Sequence, residues 1–246
     1  MELVLIHSPL VGPSFWHATA SALEARGHRC HTPTARTASG DIAAWRDWPE
    51  RIRESVATGA RPILVGHSAA GRLLPTCAQK LDAAAIVFVD APIPPAVGPV
   101  SPVEPEFLAF VRGLPIAGGT LPPWSEWWGE HAMAALIPDA GARERFAADL
   151  PRLPLEWFDD VVPVPPWRTL PAGYLQTSQH YSADTEDARE RGWPVRVLHG
   201  THLYPLTEPE STAAALAGII ESRAIADRAA ATGGLIENVN ATRQVP

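Results

Sequence analysis

Ser68 lies where an apolar run changes into a helix pattern, and this placement suits a nucleophile. The segment Ile63–His67 has the pattern of a buried strand, and a helix pattern follows the serine. The small residues Gly66, Ala69 and Ala70 let the backbone turn sharply enough to hold the Ser68 hydroxyl in an exposed, strained position. A serine held in this way can attack a carbonyl carbon, provided that a neighbouring base takes its proton.

The framework that must position this serine consists of short apolar runs that alternate with helix patterns. Helix patterns cover Phe15–Ala25 and Ile42–Thr58, and an Ala-rich pattern predicts a long C-terminal helix over Glu210–Ala230, ending near Gly233 and Gly234. Strands that alternate with helices predict a parallel sheet with helices on both faces. The strand-like runs are Leu3–His7, Pro62–His67, Ala85–Asp90, Gly173–Ser178 and Val195–His199.

Between Pro92 and Pro171 this alternation stops. Prolines are dense there, and the stretch favours a helical cap over strands. Its tryptophans are Trp124, Trp127, Trp128, Trp157 and Trp167. The spacing of the first three allows one shared helix face, and most aromatic residues in such a stripe belong to the core. Because cap segments often form the roof of a ligand site, Trp124, Trp127, Trp128 and Trp157 are the candidates for substrate binding.

Composition narrows the classes of function. The 246 residues suit one α/β domain with an insertion, and a net charge of -7 argues against a nucleic-acid surface. Cys30 and Cys77 give neither a disulfide framework nor metal-ligand spacing. The sequence has no phosphate-binding glycine loop, so we expect neither a metal nor another cofactor.

The chain starts directly in the apolar run Leu3–Ile6, which is too short for a signal-peptide core, and no run is long enough to span a bilayer. We therefore expect a cytoplasmic protein that acts on a small molecule and has no nucleic-acid or membrane partner. Either a monomer or a homodimer fits the sequence.

The segment Gly66-His67-Ser68-Ala69-Ala70 resembles the nucleophile elbow of the α/β-hydrolase superfamily, with an alanine at the second glycine position. In that superfamily the catalytic order is serine, acid, histidine. The segment Gly200–Leu203 resembles the G-x-H-L pattern of small hydrolases, which implies that His202 is the base. His199, at a strand end, is its rival, whereas His67, beside the serine, is a common residue of the elbow and is not expected to be the base.

Taken together, the chain resembles small hydrolases of the methyl esterase and hydroxynitrile lyase type. The resemblance implies an α/β-hydrolase fold, with a mostly parallel sheet flanked by helices and a helical cap inserted after the sixth strand of a hydrolase sheet. It divides the chain into a core of residues 1–91 and 171–234, a Pro/Trp-rich cap of residues 92–170, and a flexible tail of residues 235–246.

The acid has two candidates. Many relatives place it after the seventh strand, but there the aligned position falls on or beside His180, and Asp184 comes only later. Asp90 ends an apolar strand, where a carboxylate must find a partner or remain in water. Haloalkane dehalogenases carry their acid at that place, which favours Asp90 over Asp184.

The oxyanion hole departs from the resemblance. One donor is expected to be the N–H of Ala69, and the second comes from the loop after the first strand. There the aligned residue is Pro9, which has no N–H. Either Leu10 or the hydroxyl of Ser8 must donate instead, or the site does not bind an oxyanion in the usual way. Ser8 also stands where hydroxynitrile lyases keep a threonine.

Three functions fit these residues. The first is a cofactor-independent serine hydrolase, an esterase or thioesterase, that acts on a small and fairly apolar ester through Ser68, His202 and Asp90. The second is a lyase or cyclase that uses the same serine and histidine as acid and base on a carbon skeleton. The third is a non-catalytic small-molecule receptor, because function belongs to the site and not to the fold.

Overall fold

The computed structural model describes residues 1–37, 41–57, 59 and 61–227. The main sheet has six parallel strands in the order β2-β1-β3-β4-β7-β8, and β5 pairs with β6 in a separate antiparallel pair. The strands are β1 Glu2–Ile6, β2 Arg29–His31, β3 Ile63–His67, β4 Ala85–Val89, β5 Gly98–Val100, β6 Val162–Val164, β7 Ala172–Gln176 and β8 Val195–Val197. The helices are α1 His17–Glu24, α2 Trp48–Ser55, α3 Leu74–Leu81, α4 Pro105–Arg112, α5 Glu130–Leu136, α6 Ala140–Ala148, α7 Ser182–Glu190, α8 Tyr204–Thr207 and α9 Pro209–Ile220.

Side chains of the central strands alternate between two cores, one on each face of the sheet. In β1, Leu3 and Leu5 pack with residues of α1 and α9, whereas Val4 and Ile6 pack with residues of α2, α3 and α7. This alternation follows from the two-residue period of a strand. Because both faces are covered, β1, β3, β4 and β7 consist almost entirely of buried residues.

The five predicted strand runs are confirmed, but the sequence reading missed β2. This strand has only three residues, is partly exposed, and pairs with β1 alone at the edge of the sheet. A short polar edge strand has no apolar pattern to reveal it. The predicted early helices correspond to α1 and α2, each preceded by a short 3₁₀ turn.

The predicted C-terminal helix is interrupted, because a turn at Glu221 and Ser222 separates α9 from residues 223–227, which are helical again. Helix α9 ends at Ile220, and the hydroxyl of Ser222 donates a 2.6 Å hydrogen bond to the Ile219 carbonyl just beyond the last turn. Because this side chain satisfies a carbonyl at the helix end, it favours termination there. Gly233, Gly234 and residues 235–246 lie outside the described residues.

The insertion follows β4 and returns to the sheet at β7. It contains helices α4, α5 and α6, and also the short strands β5 and β6, in a stretch that the sequence favoured as helical. Val100 pairs with Val162, so the two strands join the beginning and the end of the insertion. Apolar residues of the insertion pack into both cores. The cap boundaries at residues 92 and 170 stay a prediction.

Among the helices of the described residues, none combines the length and the apolar character that a membrane span requires.

Candidate active site

The polar side chains that could take part in a reaction gather at one edge of the sheet, where the parallel strands end. Ser8 follows β1, Ser68 follows β3, Asp90 follows β4 and Ser178 follows β7. The loop after β8 adds His202. In open α/β sheets this carboxyl edge is where ligands bind.

Ser68 has the strained backbone that its surroundings in the sequence predict. Its φ angle is 56°, in the left-handed region that a residue with a side chain rarely adopts. A Cβ on Gly66 would lie 2.9 Å from the Leu74 side chain, and a Cβ on Gly71 would lie 2.8 Å from Ala91 Cβ. The turn therefore needs a glycine at both positions, because the helix start packs directly on β3 and on the end of β4.

Asp90 and His202 are hydrogen-bonded to each other. His202 Nδ1 donates to Asp90 Oδ2 over 2.8 Å. Asp90 is fully buried and also accepts hydrogen bonds from the backbone N–H groups of Thr177 and Ser178, at 2.9 and 2.8 Å, and from the Ser178 hydroxyl at 2.6 Å. Because Nδ1 carries the donated proton, Nε2 of His202 is the ring nitrogen left to accept one.

The carboxyl group of Asp90 is held ionised. Burial alone raises the pKa of a carboxyl group, but the hydrogen bonds from His202, Ser178 and Thr177 outweigh burial here, so the pKa of Asp90 lies below its ordinary value. Asp90 itself has a φ of 44°, a second strained backbone position at this edge.

The residues that the sequence left as alternatives bind other groups or are exposed. Asp184 Oδ1 accepts the N–H of Ile93 over 2.8 Å and so ties α7 to the start of the insertion. Burial raises the pKa of Asp184. His180 and His199 are exposed. Of the two candidate acids, Asp90 is the one that the fold places against His202.

His67, the residue before Ser68, holds the backbone of His202 through a hydrogen bond. Its ring is buried, and Nε2 donates a 2.9 Å hydrogen bond to the His202 carbonyl. Burial lowers the pKa of His67 well below its ordinary value, and the charge of nearby His202 acts in the same direction. His67 is therefore a neutral donor that anchors the histidine loop.

His202 lies in a row of packed rings formed by Phe15, His67, His202 and Tyr181. Ring centroids are 4.2 Å apart for Phe15 and His67, 4.5 Å for His67 and His202, and 5.6 Å for His202 and Tyr181. The planes within each pair are inclined by about 30°. The position of the His202 imidazole is thus fixed by rings as well as by Asp90.

The loop after β1 contributes Ser8 and Leu10 to the surroundings of Ser68. Leu10 N–H points to Ser8 Oγ over 3.4 Å, and Val11 N–H donates to the Ser8 carbonyl over 3.0 Å. Ser8, Leu10, Ser68 and His202 line one small cavity of about 20 Å³. Ala69, the residue after the serine, is buried.

A cap residue holds this loop in place. Asp149 Oδ2 accepts the N–H of Ser14 over 3.0 Å, and a Cβ on Gly12 would lie 2.0 Å from the same oxygen. The loop beside the serine and the segment after α6 therefore fit together only because residue 12 is a glycine.

Of the four candidate tryptophans, Trp124 lines the cavity at Ser68, and the others do not. Trp127 donates to the Pro122 carbonyl over 2.8 Å, and Trp128 is 41% exposed and stacks on Phe110. Trp157 is buried against Trp45 and Trp48 and donates to the Ala43 carbonyl. The shared helix face does not form, because Trp124–Glu126 is a single 3₁₀ turn.

A larger cavity of about 580 Å³ lies at the opposite edge of the sheet, between Arg61, Gln79 and Trp167. It contains none of the residues of the site described above. Within the described part of the chain, no three His, Cys, Asp or Glu side chains form a cluster that could hold a metal ion.

The profile of the Alpha/beta hydrolase family matches residues 3–215 of the 246. The chain belongs to the alpha/beta hydrolase family. A search of curated protein sequences found no match.

Several solved structures share the fold of this chain at low sequence identity. An extracellular alpha/beta-hydrolase from a Paenibacillus species has a TM-score of 0.71 and 19% identity, over 90% of this chain and 100% of that one. A methylesterase from Arabidopsis has a TM-score of 0.62 and 16% identity, over 89% and 98%. A pyrethroid hydrolase from Sphingobium faniae JZ-2 has a TM-score of 0.62 and 20% identity, over 91% and 98%.

Sequence reasoning missed three residues of this site. Thr177 and Ser178 hold Asp90, and the ring of Tyr181 stacks on the imidazole of His202 with 5.6 Å between the ring centroids. All three belong to the loop after β7, which the sequence marked as the usual place of an acid. The usual place of the acid in this loop indicates that any polar side chain there, and not only a carboxylate, can contribute to the site.

Proposed function

We propose that the protein is a cofactor-independent serine hydrolase that cleaves a small, fairly apolar ester through Ser68, His202 and Asp90. The observation that carries the proposal is the 2.8 Å hydrogen bond between His202 Nδ1 and Asp90, which leaves Nε2 of the same ring to accept a proton. His202 and Ser68 line the same cavity. A nucleophile, a base and an orienting acid are the three parts that acyl transfer by serine needs.

In this mechanism, Ser68 Oγ attacks the ester carbonyl while His202 Nε2 takes its proton. Asp90 holds the imidazole in the required tautomer and stabilises the imidazolium that forms. His202 then gives the proton to the leaving alkoxide, and an acyl group stays on Ser68. A water molecule, deprotonated by His202 in turn, releases the acid and restores the serine.

The oxyanion of the tetrahedral intermediate receives one hydrogen bond from Ala69 N–H and a second from the Ser8 hydroxyl. Ser8 is favoured as the second donor because Leu10 N–H points to Ser8 Oγ, which leaves the proton of that hydroxyl free for another acceptor. Pro9 cannot take this role, since proline has no N–H. The two donors come from the loops after β1 and β3, which are neighbouring strands.

The choice of a small apolar ester rests on the lining of the cavity. Apart from Ser8, Ser68 and the two histidines, its walls are Leu10, Val11, Trp124 and Leu203. Its volume of about 20 Å³ holds roughly one water molecule. Substrate entry therefore requires the roof at Trp124 to move.

The experiment that tests the proposal is intact-protein mass spectrometry after treatment with a fluorophosphonate probe. We expect rapid single labelling of the wild type, no labelling of Ser68→Ala, and slow labelling of Asp90→Asn. Absence of labelling in the folded wild type would show that Ser68 is not activated for acyl transfer.

A lyase or cyclase is the second candidate, and Pro9 is the observation that favours it. A site that lacks the usual loop N–H stabilises an oxyanion less, whereas proton transfer by Ser68 and His202 needs no such donor. Turnover of p-nitrophenyl acetate that disappears in Ser68→Ala would count against this candidate. A folded wild type with neither turnover nor labelling would favour it.

A further inference from the structure

Asp149 is a residue of the insertion that contacts the loop after β1, and the proposed mechanism does not use it. It directly follows helix α6, and its Oδ2 accepts the N–H of Ser14 over 3.0 Å. Ser14 belongs to the 3₁₀ turn Pro13–Trp16, and the first N–H groups of a helical turn find no partner within the turn itself. Gly12 precedes this turn and has no side chain, so the acceptor comes from the insertion.

The same contact reaches the part of the loop that carries Ser8. A Cβ on Gly12 would lie 2.0 Å from Asp149 Oδ2 and 2.6 Å from the Asp149 carbonyl oxygen, so the backbone of residue 12 packs directly on Asp149. Val11, the next residue toward Ser8, lines the cavity of Ser68, and its N–H donates to the Ser8 carbonyl over 3.0 Å. The place of Ser8 is therefore tied to Asp149 through a short and tightly packed piece of backbone.

Asp149 is itself held in place by the end of α6 and by the roof of the cavity. Its N–H donates to the Phe146 carbonyl over 3.2 Å. The Phe146 ring is buried and meets that of Trp124 edge to face, with 6.2 Å between ring centroids and 87° between the planes. Because Trp124 lines the cavity of Ser68, the end of α6 connects the roof of the cavity with the loop after β1.

We propose that Asp149 is a positioning residue: it holds the loop after β1 so that the Ser8 hydroxyl points to the oxyanion. The proposal rests on the proposed function, because Ser8 is an oxyanion donor only if Ser68 attacks a carbonyl group. The residues that line the cavity do not include Asp149, so it acts on the reaction through Ser8. A donor stabilises a developing charge best when it is in place before the charge forms, and the packing of Asp149 on Gly12 provides that.

The test is a double-mutant cycle between Asp149 and Ser8 in the full chain. Asp149→Ala removes the acceptor for Ser14 N–H, whereas Asp149→Asn keeps an oxygen that can accept it. Each Asp149 variant is combined with the wild-type Ser8 and with Ser8→Ala, which isolates the coupling between the two residues. The readouts are kcat and KM for p-nitrophenyl acetate and the fluorophosphonate labelling rate constant. Thermal unfolding establishes that each variant is folded.

The matched control is Asp139→Ala. Asp139 precedes the same helix, and its Oδ1 accepts the N–H of Ala142 over 2.7 Å, so this variant also loses a hydrogen bond between an aspartate and a backbone N–H. Asp139 is exposed, and this partner lies in α6 itself. A loss of activity through general weakening of α6 would therefore appear in the control as well.

We expect Asp149→Ala to lower kcat and the labelling rate about tenfold with KM within about twofold of the wild type, because a displaced donor loses part of the roughly hundredfold effect of an oxyanion hydrogen bond. In the Ser8→Ala background the same change should lower kcat by less than about twofold, since the donor that Asp149 positions is absent. Asp149→Asn and Asp139→Ala should remain within about twofold of the wild type. If Asp149→Ala does not fold, Asp149→Ser, whose shorter side chain also withdraws the acceptor, takes its place in the cycle.

Wild-type kcat in Asp149→Ala would overturn the proposal. An equal loss with and without the Ser8 hydroxyl, or the same loss in Asp139→Ala, would overturn it too. These results presuppose a wild type that is labelled at Ser68 and turns over the ester, so they leave the proposed function standing. A folded wild type that does neither would instead overturn the proposed function, and the role of Asp149 with it.

Discussion

His202 Nδ1 and Asp90 Oδ2 are 2.8 Å apart, although 112 residues separate them in the chain. The contact joins the loop after β8 to the residue that directly follows β4. It makes Asp90 the partner of the histidine and leaves Asp184 to the N–H of Ile93.

The first prediction separates these two carboxylates. Asp90→Asn should lower kcat for p-nitrophenyl acetate by a factor on the order of 10⁴, because the amide favours the wrong histidine tautomer. Asp184→Asn has the same change of shape and charge and keeps an oxygen for Ile93 N–H, so its kcat should stay near that of the wild type. The reverse ranking of the two variants would make Asp184 the functional acid.

The second prediction concerns the oxyanion. Ser8→Ala should lower kcat about a hundredfold, because removal of one oxyanion donor typically has an effect of that size. Ser8→Thr restores a hydroxyl at the same position and should recover most of the rate. Steady-state kinetics on p-nitrophenyl acetate measure both variants. Full activity in Ser8→Ala would assign the second hydrogen bond to Leu10 N–H.

The third prediction concerns the roof. Trp124→Ala should enlarge the cavity beside Ser68 and shift the ratio of kcat/KM toward longer p-nitrophenyl esters by about tenfold, as expected when several methylene groups gain space. Trp128→Ala removes an exposed tryptophan that does not line the cavity, and the ratio should not change. An equal shift in both variants would mean that the cap responds as a whole.

The fourth prediction tests the serine turn. Gly71→Ala forces a methyl group to 2.8 Å from Ala91 Cβ and 2.9 Å from the Pro92 carbonyl oxygen, so the free energy of unfolding should fall by about 1–3 kcal/mol. In α9, a Cβ on Gly218 lies no closer than 3.7 Å to Arg196. Gly218→Ala should therefore raise stability by about 0.5–1 kcal/mol. Urea unfolding measures both changes, and a stable Gly71→Ala would contradict the tight packing.

The fifth prediction is a pH dependence of stability. Burial lowers the pKa of His7 from 6.5 to about 4. Between these pH values the unfolded chain binds a proton that the folded protein does not, so the free energy of unfolding falls as the pH falls. The contribution of His7 amounts to about 3 kcal/mol across that window.

His7→Asn removes this titration and keeps a donor for the Ser8 carbonyl, which His7 Nδ1 contacts at 2.8 Å. Urea unfolding between pH 7 and pH 4 should therefore give a flatter dependence than in the wild type. A slope remains, because the pKa of buried His67 is lowered in the same direction. The exposed His199 serves as the control, and His199→Asn should keep the wild-type slope. An unchanged slope in His7→Asn would show that His7 binds its proton at the same pH in the folded protein as in the unfolded chain.

The sequence predicted the parts of the molecule that depend on local pattern. The apolar runs predict the buried strands, and the small residues around Ser68 predict the strained turn, because each signal lies within a few neighbouring residues. The sequence also favoured Asp90 as the acid, since a carboxylate that ends an apolar strand needs a partner. The edge strand β2 and the interruption after α9 carried weaker local signals and were missed.

The features of the site that the sequence did not predict depend on contacts between distant segments. The roles of Trp124 and Trp157 differ because one lines the cavity and the other packs on Trp45 and Trp48, and spacing along the chain does not distinguish these positions. Tyr181 was overlooked because its contact with His202 joins two separate loops. Only the tertiary structure brings those loops together.

Ser68 and Asp90 both precede residues 92–170, and the His202 loop follows them. The proposed nucleophile and its proposed acid are thus encoded in one uninterrupted stretch of chain, which could persist while the insertion is lengthened, shortened or exchanged for one from a relative. Chimaeras of this kind should retain reactivity toward small probes while acquiring the substrate range of the donor, provided that the partners of the insertion, Arg72 with Glu104 and Gly12 with Asp149, are transferred as pairs.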